Sequence, residues 1–302
     1  MIIQFIKNRR VFYTLSLSLI IASTAAIVLF GLNLGIDFTG GSVLELEYKE
    51  SAPGLEQGRE ALAGLALGDF ILQKSGERSL VLKTNVVDEA ILQQAVSQLE
   101  AVGEVEKGGV NIKSIGPVIG QELKKKSAIV LVIALLAILI YIALSFRKVS
   151  RPVKSWVYGF SGIIALFHDV LVTLGVLVVL GRLSGVEISI PIVTAFLTIF
   201  GYSINDSVVV FDRLRENLVK SRGGVFEEAV NSGLNQSLKR SINTSFTTII
   251  ALLAIFFLGG ATLKYFALSL ILGIGLGTYS SLFISTPLLV SYLRFKERKY
   301  RA

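Results

Sequence analysis

The chain of 302 residues has no cysteine, one histidine, one methionine, one tryptophan and five prolines. Without cysteine there is no disulfide scaffold, no thiolate zinc cluster and no thiol nucleophile. A single histidine, His168, cannot build a multi-histidine metal centre. Charge is scarce too: 17% of residues are Asp, Glu, Lys or Arg, against about 25% in ordinary soluble domains. With 52% hydrophobic residues and a mean hydropathy of +0.67, the composition argues against a single soluble globular enzyme.

What the chain does have is long apolar runs. A hydrocarbon core of about 30 Å takes about 20 residues of helix at 1.5 Å each. Six segments meet that length, residues 11–34, 127–146, 156–180, 188–211, 241–263 and 265–293. Four of them carry no charge. The segments 156–180 and 188–211 enclose His168, Asp169 and Asp206, and these become the candidates for chemistry. The first run follows Lys7, Arg9 and Arg10, but its 24 uncharged residues exceed the roughly 7 to 15 of a signal-peptide core, so an uncleaved anchor is expected.

The net charge of +8 is unevenly spread. Residues 35–122 hold 7 Lys and Arg against 14 Asp and Glu, leaving 23 against 8 for the apolar remainder. This pattern suits cationic loops on one membrane face with an acidic soluble domain set between spans, and not a nucleic-acid-binding surface. With the N-terminus inside, the inner segments collect 18 Lys and Arg, and the short outer loops only Arg182 and Lys264. Both termini are therefore expected to be cytoplasmic and residues 35–122 outside. Lys124, Lys125 and Lys126 then lie outside, closing a long loop, where the charge rule is weak.

Between residues 43 and 117 the apolar runs give way to short alternating ones. Residues 43–48 and 79–84 read as strands, with weaker candidates at 70–74 and 110–115, and residues 55–67 and 88–102 read as helices, the second capped by Asp88. The order βαββαβ suits a ferredoxin-like α+β domain. The expected fold is thus a polytopic membrane protein of six transmembrane helices. Residues 1–34 form the N-terminus and first helix, 35–122 the extracytoplasmic domain, and 123–302 the other five helices.

Several sites stand out within this frame. Asp37, Gly40 and Gly41 lie in Gly35-Ile36-Asp37-Phe38-Thr39-Gly40-Gly41, either a tight helix-to-strand turn with Asp37 as a cap or an interface or hinge at the outer face. Asp206 sits in Gly201-Tyr202-Ser203-Ile204-Asn205-Asp206-Ser207, where an intramembrane acid costs about 2.5–3.5 kcal/mol and is by default a functional candidate; a permanently protonated, hydrogen-bonded acid is the structural alternative. Arg240 opens the fifth span and approaches from the same face, as a fixed countercharge to Asp206 or as an arginine snorkelling to the interface. His168 and Asp169 are either a proton relay or a packing pair, with Ser203 and Asn205 as polar neighbours along the next span. Residues 225–238 pattern as an amphipathic helix, lying on the inner interface or packed on the bundle, and Gly273, Gly275 and Gly277 suit close helix packing.

Together the six spans, the large loop after the first, the Gly35-to-Gly41 run, Ile115-Gly116-Pro117, His168-Asp169 and the run from Gly201 through Val208-Val209-Val210-Phe211-Asp212-Arg213 resemble the SecD/SecF protein-export family of the resistance-nodulation-division superfamily. The resemblance covers nearly the whole chain. It implies a non-enzymatic subunit in the bacterial inner membrane that uses the proton-motive force to assist translocation. Its implied partners are SecD, the SecYEG translocon, the translocating preprotein and membrane lipid, with no cofactor other than protons as coupling ion. It also implies that Asp206 and Arg240 take part in proton conduction. Half of a proton-coupled small-molecule exporter is the competing expectation, set back by the small insert. An intramembrane hydrolase lacks the nucleophile and base pair or metal ligands it would need.

Overall fold

A computed structural model describes residues 3–145, 154–220 and 226–301; Arg147, Lys148, Arg151 and Arg222, counted above in the inner charge, lie outside the described residues. In chain order the elements are α1 (Arg9–Phe30), α2 (Ile36–Thr39), β1 (Gly41–Tyr48), α3 (Leu55–Leu62), β2 (Phe70–Ser75), β3 (Ser79–Thr84), α4 (Glu89–Ala101), β4 (Val105–Ile115), α5 (Pro117–Ser145), α6 (Ser155–Ser184), α7 (Ile190–Lys220), α8 (Phe226–Leu258), α9 (Ala261–Ser280), a π-helical turn (Ser281–Ser285) and α10 (Thr286–Arg301). They divide into two compact units, Leu34–Ala128 and the remainder.

In the smaller unit the four strands form one antiparallel sheet in the order β2-β3-β1-β4. This is the split βαβ arrangement that the element order implied. Alternation along β1 turns Leu44, Leu46 and Tyr48 into the core, where Leu92, Ala95, Val96 and Leu99 of α4 meet them at helical spacing. Asp88 caps α4 by accepting from the Ala90 amide at 2.9 Å, as expected. Helix α3 is shorter than the reading over 55–67, ending at Leu62. The chain then bends so that Leu67 enters the core while its carbonyl accepts from Thr84 Oγ1 at 2.7 Å. β4 begins five residues earlier than expected, at Val105, and its pairing with β1 slips between Leu46 and Tyr48.

The Gly35-to-Gly41 run is not a bare turn. It forms the short α2, and no side chain caps it; buried Asp37 instead accepts from Lys113 Nζ at 2.6 Å. Gly40 and Gly41 have φ of 79° and 117°, which disfavour any side chain. A Cβ on Gly40 would also lie 2.7 Å from Pro117 Cα, and one on Gly41 2.6 Å from the Thr84 carbonyl oxygen. The glycine pair is therefore a close-packed joint between α2, the end of β3 and the start of α5.

Six helical stretches among the described residues are long and apolar enough to cross a membrane. Their bounds depart from the sequence reading by a few residues at several ends, and most of all in four places. α5 begins at Pro117, so Lys124, Lys125 and Lys126 are helical, with Lys126 pairing Glu122 one turn back at 2.7 Å. α7 continues through Lys220. The described part of the amphipathic segment is no separate interfacial helix but the first half of α8, burying Ala229, Val230, Gly233 and Leu234; Gly233 lies against the Leu214 backbone of α7. The last span is interrupted by the π-turn. Pro287 lies just beyond it and, having no N–H, leaves Phe283 O without its usual helical partner, while within the turn Ser285 Oγ and Thr286 Oγ1 donate to Ser281 O at 2.9 and 3.0 Å.

The helices approach closely where side chains are smallest. Gly175 of α6 faces Ser23 of α1, and Gly273 and Gly277 of α9 face Ile199 and Ser203 of α7, whereas Gly275 meets open space. Close approach leaves an interior seam rich in hydroxyls, with Ser161, Thr173, Ser203, Ser207, Ser241, Ser245, Ser280, Ser281 and Ser285 all buried.

Candidate functional site

Asp206 lies near the middle of the 31-residue α7, buried apart from 8% of its surface. Both carboxyl oxygens are engaged. Oδ1 accepts from Ser241 of α8 at 2.7 Å, and Oδ2 accepts from Ser281 of the π-turn. One carboxyl thus ties together three helical segments that are remote in sequence. Every bond it makes is one that its ionised form can accept.

Arg240, read from the sequence as a countercharge to Asp206 or as an arginine snorkelling to the interface, does not touch the carboxyl. It is exposed and, among the described residues, makes no ion pair or hydrogen bond with Asp206. Its guanidinium lines a cleft of about 280 Å³ with Asp212, Arg213, Gln236 and Ser237. Arg213 itself is paired with Glu216.

The two other intramembrane candidates form one cluster. His168 Nδ1 lies 3.0 Å from Asp169 Oδ1, and Asp169 Oδ2 accepts from Ser203 of α7 and Ser280 of α9, both at 2.7 Å. Asp169 is wholly buried. The ring of Tyr279 lies 6.0 Å from that of His168. Ser203 belongs to this cluster and Asn205 does not; it faces outward on α7. Close by, Tyr202 OH donates to Ser245 Oγ at 3.3 Å, and Ser245 bonds Thr278, which laces α7, α8 and α9 together.

Sequence reasoning missed Ser241, Ser280 and Ser281, because serines in apolar runs look like small packing residues. One signal was available: Ser281, Ser285 and Thr286 crowd a hydrophobic span just before Pro287, a pattern that breaks regular helix and frees hydroxyls to bond carboxylates. No group of His, Asp and Glu among the described residues could hold a metal ion.

With this geometry in hand, comparison with known proteins is decisive. The model of the protein export membrane protein SecD/SecF C-terminal region matches residues 94–295, and that of the SecD/SecF GG motif matches residues 25–52. The chain belongs to the SecD/SecF family of protein export membrane proteins. Protein translocase subunit SecF of Thermobaculum terrenum is 42% identical over 96% of this chain and 94% of its own length. SecF of Anaerolinea thermophila is 36% identical over 95% and 93%. Among solved structures, the crystal structure of SecDF, a translocon-associated membrane protein from Thermus thermophilus, superposes with a TM-score of 0.83 at 32% identity. That match covers 97% of this chain but 39% of the SecDF chain, so the present chain spans well under half of that protein. The chain is a multi-pass membrane protein with a role in protein translocation.

Proposed function

We propose that this chain is the SecF half of a SecDF-type accessory complex of the bacterial inner membrane, which uses the proton-motive force to assist preprotein translocation beside SecYEG. In this reading both termini are cytoplasmic, the chain is not an enzyme, and protons are its coupling ion. Asp206 carries the proton, and Arg240 sets how readily it binds. One observation carries the reading: a carboxyl set midway along an apolar helix is held by hydroxyls from two other segments, Ser241 and Ser281. Protonation gives one of the two oxygens a proton to donate while the other still accepts, and obliges the hydroxyl that donated to the protonated oxygen to turn. A charge crossing the membrane gains about 2.3 kcal/mol per 100 mV, enough to bias states a few kcal/mol apart.

The exposed face of α7 supports the SecD partnership. Thr194, Thr198, Gly201 and Asn205 follow one another there at helical spacing. A side-chain amide facing hydrocarbon is costly, and a second six-span half would cover it. The named relatives are translocase subunits, which favours this reading over the small-molecule exporter. Asp37, Gly40 and Gly41 form the joint through which movement of α5 would reach the sheet.

The test is Asp206→Asn in vesicles containing SecYEG and SecD. Proton-dependent stimulation of export should be lost, with expression and SecD association intact. Undiminished stimulation would remove Asp206 from the mechanism.

A further inference from the structure

The buried acid on α6 is built on the same plan as Asp206, and the two plans meet in consecutive residues. Ser280 donates to Asp169 Oδ2, and its chain neighbour Ser281 donates to Asp206 Oδ2. Each serine also has a second acceptor three residues back. Ser280 Oγ lies 3.2 Å from Gly277 O, and Ser281 Oγ lies 3.1 Å from Thr278 O. A hydroxyl has one proton to give and lone pairs to receive. Beside an ionised carboxyl each serine donates to it. Beside a protonated carboxyl each can accept and turn its own proton to the carbonyl. Neither state leaves a buried hydroxyl unpaired, so the pair of serines can follow both carboxyls through a change of proton occupancy.

The surrounding charges define what is at stake. Asp169 faces His168 on its own helix, Ser203 from α7 and Ser280 from α9, with Tyr279 against the imidazole. Asp206 faces Ser241 from α8 and Ser281 from the π-turn, and exposed Arg240 precedes Ser241 on α8. The remaining charged groups of the packed helices stand nearer their ends, among them Arg9 and Arg10 in α1, Arg182 in α6, Asp212 and Arg213 in α7, Lys264 in α9 and Arg294 in α10. His168 and Asp169 together are neutral while they share one proton. Without it, a net negative charge sits where no surface is exposed, which is costly. The two groups, 3.0 Å apart, therefore hold that proton as one site. His168 Nε2, buried and without a hydrogen-bond partner among the described residues, is the atom through which a proton can enter or leave it.

Like charges strengthen one another's hold on protons. We propose that the His168–Asp169 pair is a second proton-binding site, coupled to Asp206 through Ser280 and Ser281, so that protonation of Asp206 weakens the pair's hold on its own proton. This rests on the reading of Asp206 as the proton carrier. The step is an exchange: one proton binds the Asp206 carboxylate and one leaves the pair, so the charge within the bundle is conserved while its position moves. Ser280 and Ser281 are positioning residues in this exchange, since they touch both carboxyls and carry the change along one peptide unit.

Because His168 is the only histidine, ¹⁵N-histidine labelling of this chain alone, in its complex with unlabelled SecD in lipid vesicles, reports one imidazole by NMR. Its protonation is followed against pH. In Asp206→Asn the proton affinity of the pair should fall at least threefold, and Asp206→Glu, which keeps the charge, should restore it. Should Asp206→Asn fail to assemble, Ser281→Ala, which removes a donor from the Asp206 carboxylate, should shift the midpoint in the same direction by less. A midpoint equal in wild type and in these variants, or an imidazole that does not titrate, overturns the coupled second site. If that midpoint is unmoved while Asp206→Asn still loses export stimulation, the coupling fails and the proposed function stands. If the midpoint moves while stimulation is retained, the coupling holds and the role of Asp206 as carrier fails.

Discussion

Gly273 of α9 lies so near Ile199 of α7 that a Cβ on Gly273 would fall 2.2 Å from Ile199 Cδ1 and 2.4 Å from its Cγ1. One turn on the approach is less extreme, and a Cβ on Gly277 would lie 3.2 Å from Ser203 Cβ. Helices that cross a bilayer gain most from such close backbone approach, because lipid offers no hydrophobic penalty to drive them together. The crossing also sets the reach of the interior hydroxyls, since Ser203 and Ser280 must both meet Asp169 Oδ2.

Gly273→Ala should therefore destabilise the bundle by about 1–3 kcal/mol, the usual cost of overpacking. Thermal unfolding in detergent, followed by the fluorescence of the single Trp156, reads the loss. Ile199→Ala should cost less stability in the Gly273→Ala background than in the wild-type chain, because there it also relieves the overpacking. An equal cost in both backgrounds would show that this contact is not what limits the crossing.

The two-glycine joint predicts a contrast. Gly41→Ala combines an unfavourable φ of 117° with a clash against the Thr84 carbonyl, and should cost roughly 3 kcal/mol from strain and overpacking together. Gly76 also has a positive φ, 75°, but open space around it, so Gly76→Ala should cost about 1 kcal/mol. Limited proteolysis of the full chain should cut the Gly41→Ala insert faster than the Gly76→Ala insert. Equal rates would refute the packed joint.

Tyr48 gives the insert a pH dependence. Burial, reinforced by the charge of Glu100, pushes its hydroxyl up to about 12, against about 10 for a free tyrosine. The folded state keeps the proton where the unfolded state has lost it. The stabilisation is thus complete below about pH 10 and disappears as pH climbs towards 12. Tyr48→Phe should flatten the fall in melting temperature over that range. It should also cost about 1 kcal/mol at neutral pH by deleting the bond from Tyr48 to the Leu99 carbonyl, 3.1 Å long. Parallel melting curves for the two proteins above about pH 10 would contradict this.

Topology is accessible because the chain has no cysteine of its own. Glu60→Cys, on exposed helix α3, should react with a membrane-impermeant maleimide in intact spheroplasts. Lys239→Cys, also exposed, should react only after lysis. The reverse pattern would invert the orientation argued from the 18-to-2 charge asymmetry.

Much of the fold was legible in the chain because it depends on local pattern. Apolar runs of about 20 residues mark spans whatever packs beside them, and alternation in residues 43–48 and 79–84 marks strands whose inward faces follow from period two. Boundaries were less legible. Helices α5, α7 and α8 all run past their apolar segments into polar sequence, since a helix continues wherever its backbone bonds are satisfied and needs no hydrocarbon to do so. The π-turn was invisible to hydropathy because Pro287 and three hydroxyl residues barely alter the mean.

The sequence by itself determined that this protein crosses a membrane six times, carries an acidic βαββαβ insert after the first span, and places Asp169, His168 and Asp206 among apolar residues, all of which follow from composition and periodicity. Only the tertiary structure decided which groups those acids meet. Arg240, the obvious countercharge, stands back from Asp206, while Ser241 and Ser281, indistinguishable in sequence from packing residues, hold both its oxygens. The reason is geometric. Hydrogen bonds between helices depend on crossing points fixed by small residues such as Gly273 and Gly277 and on the extra residue of a π-turn, and neither the depth of a crossing nor the phase of a helix beyond a bulge is written in any local stretch of chain.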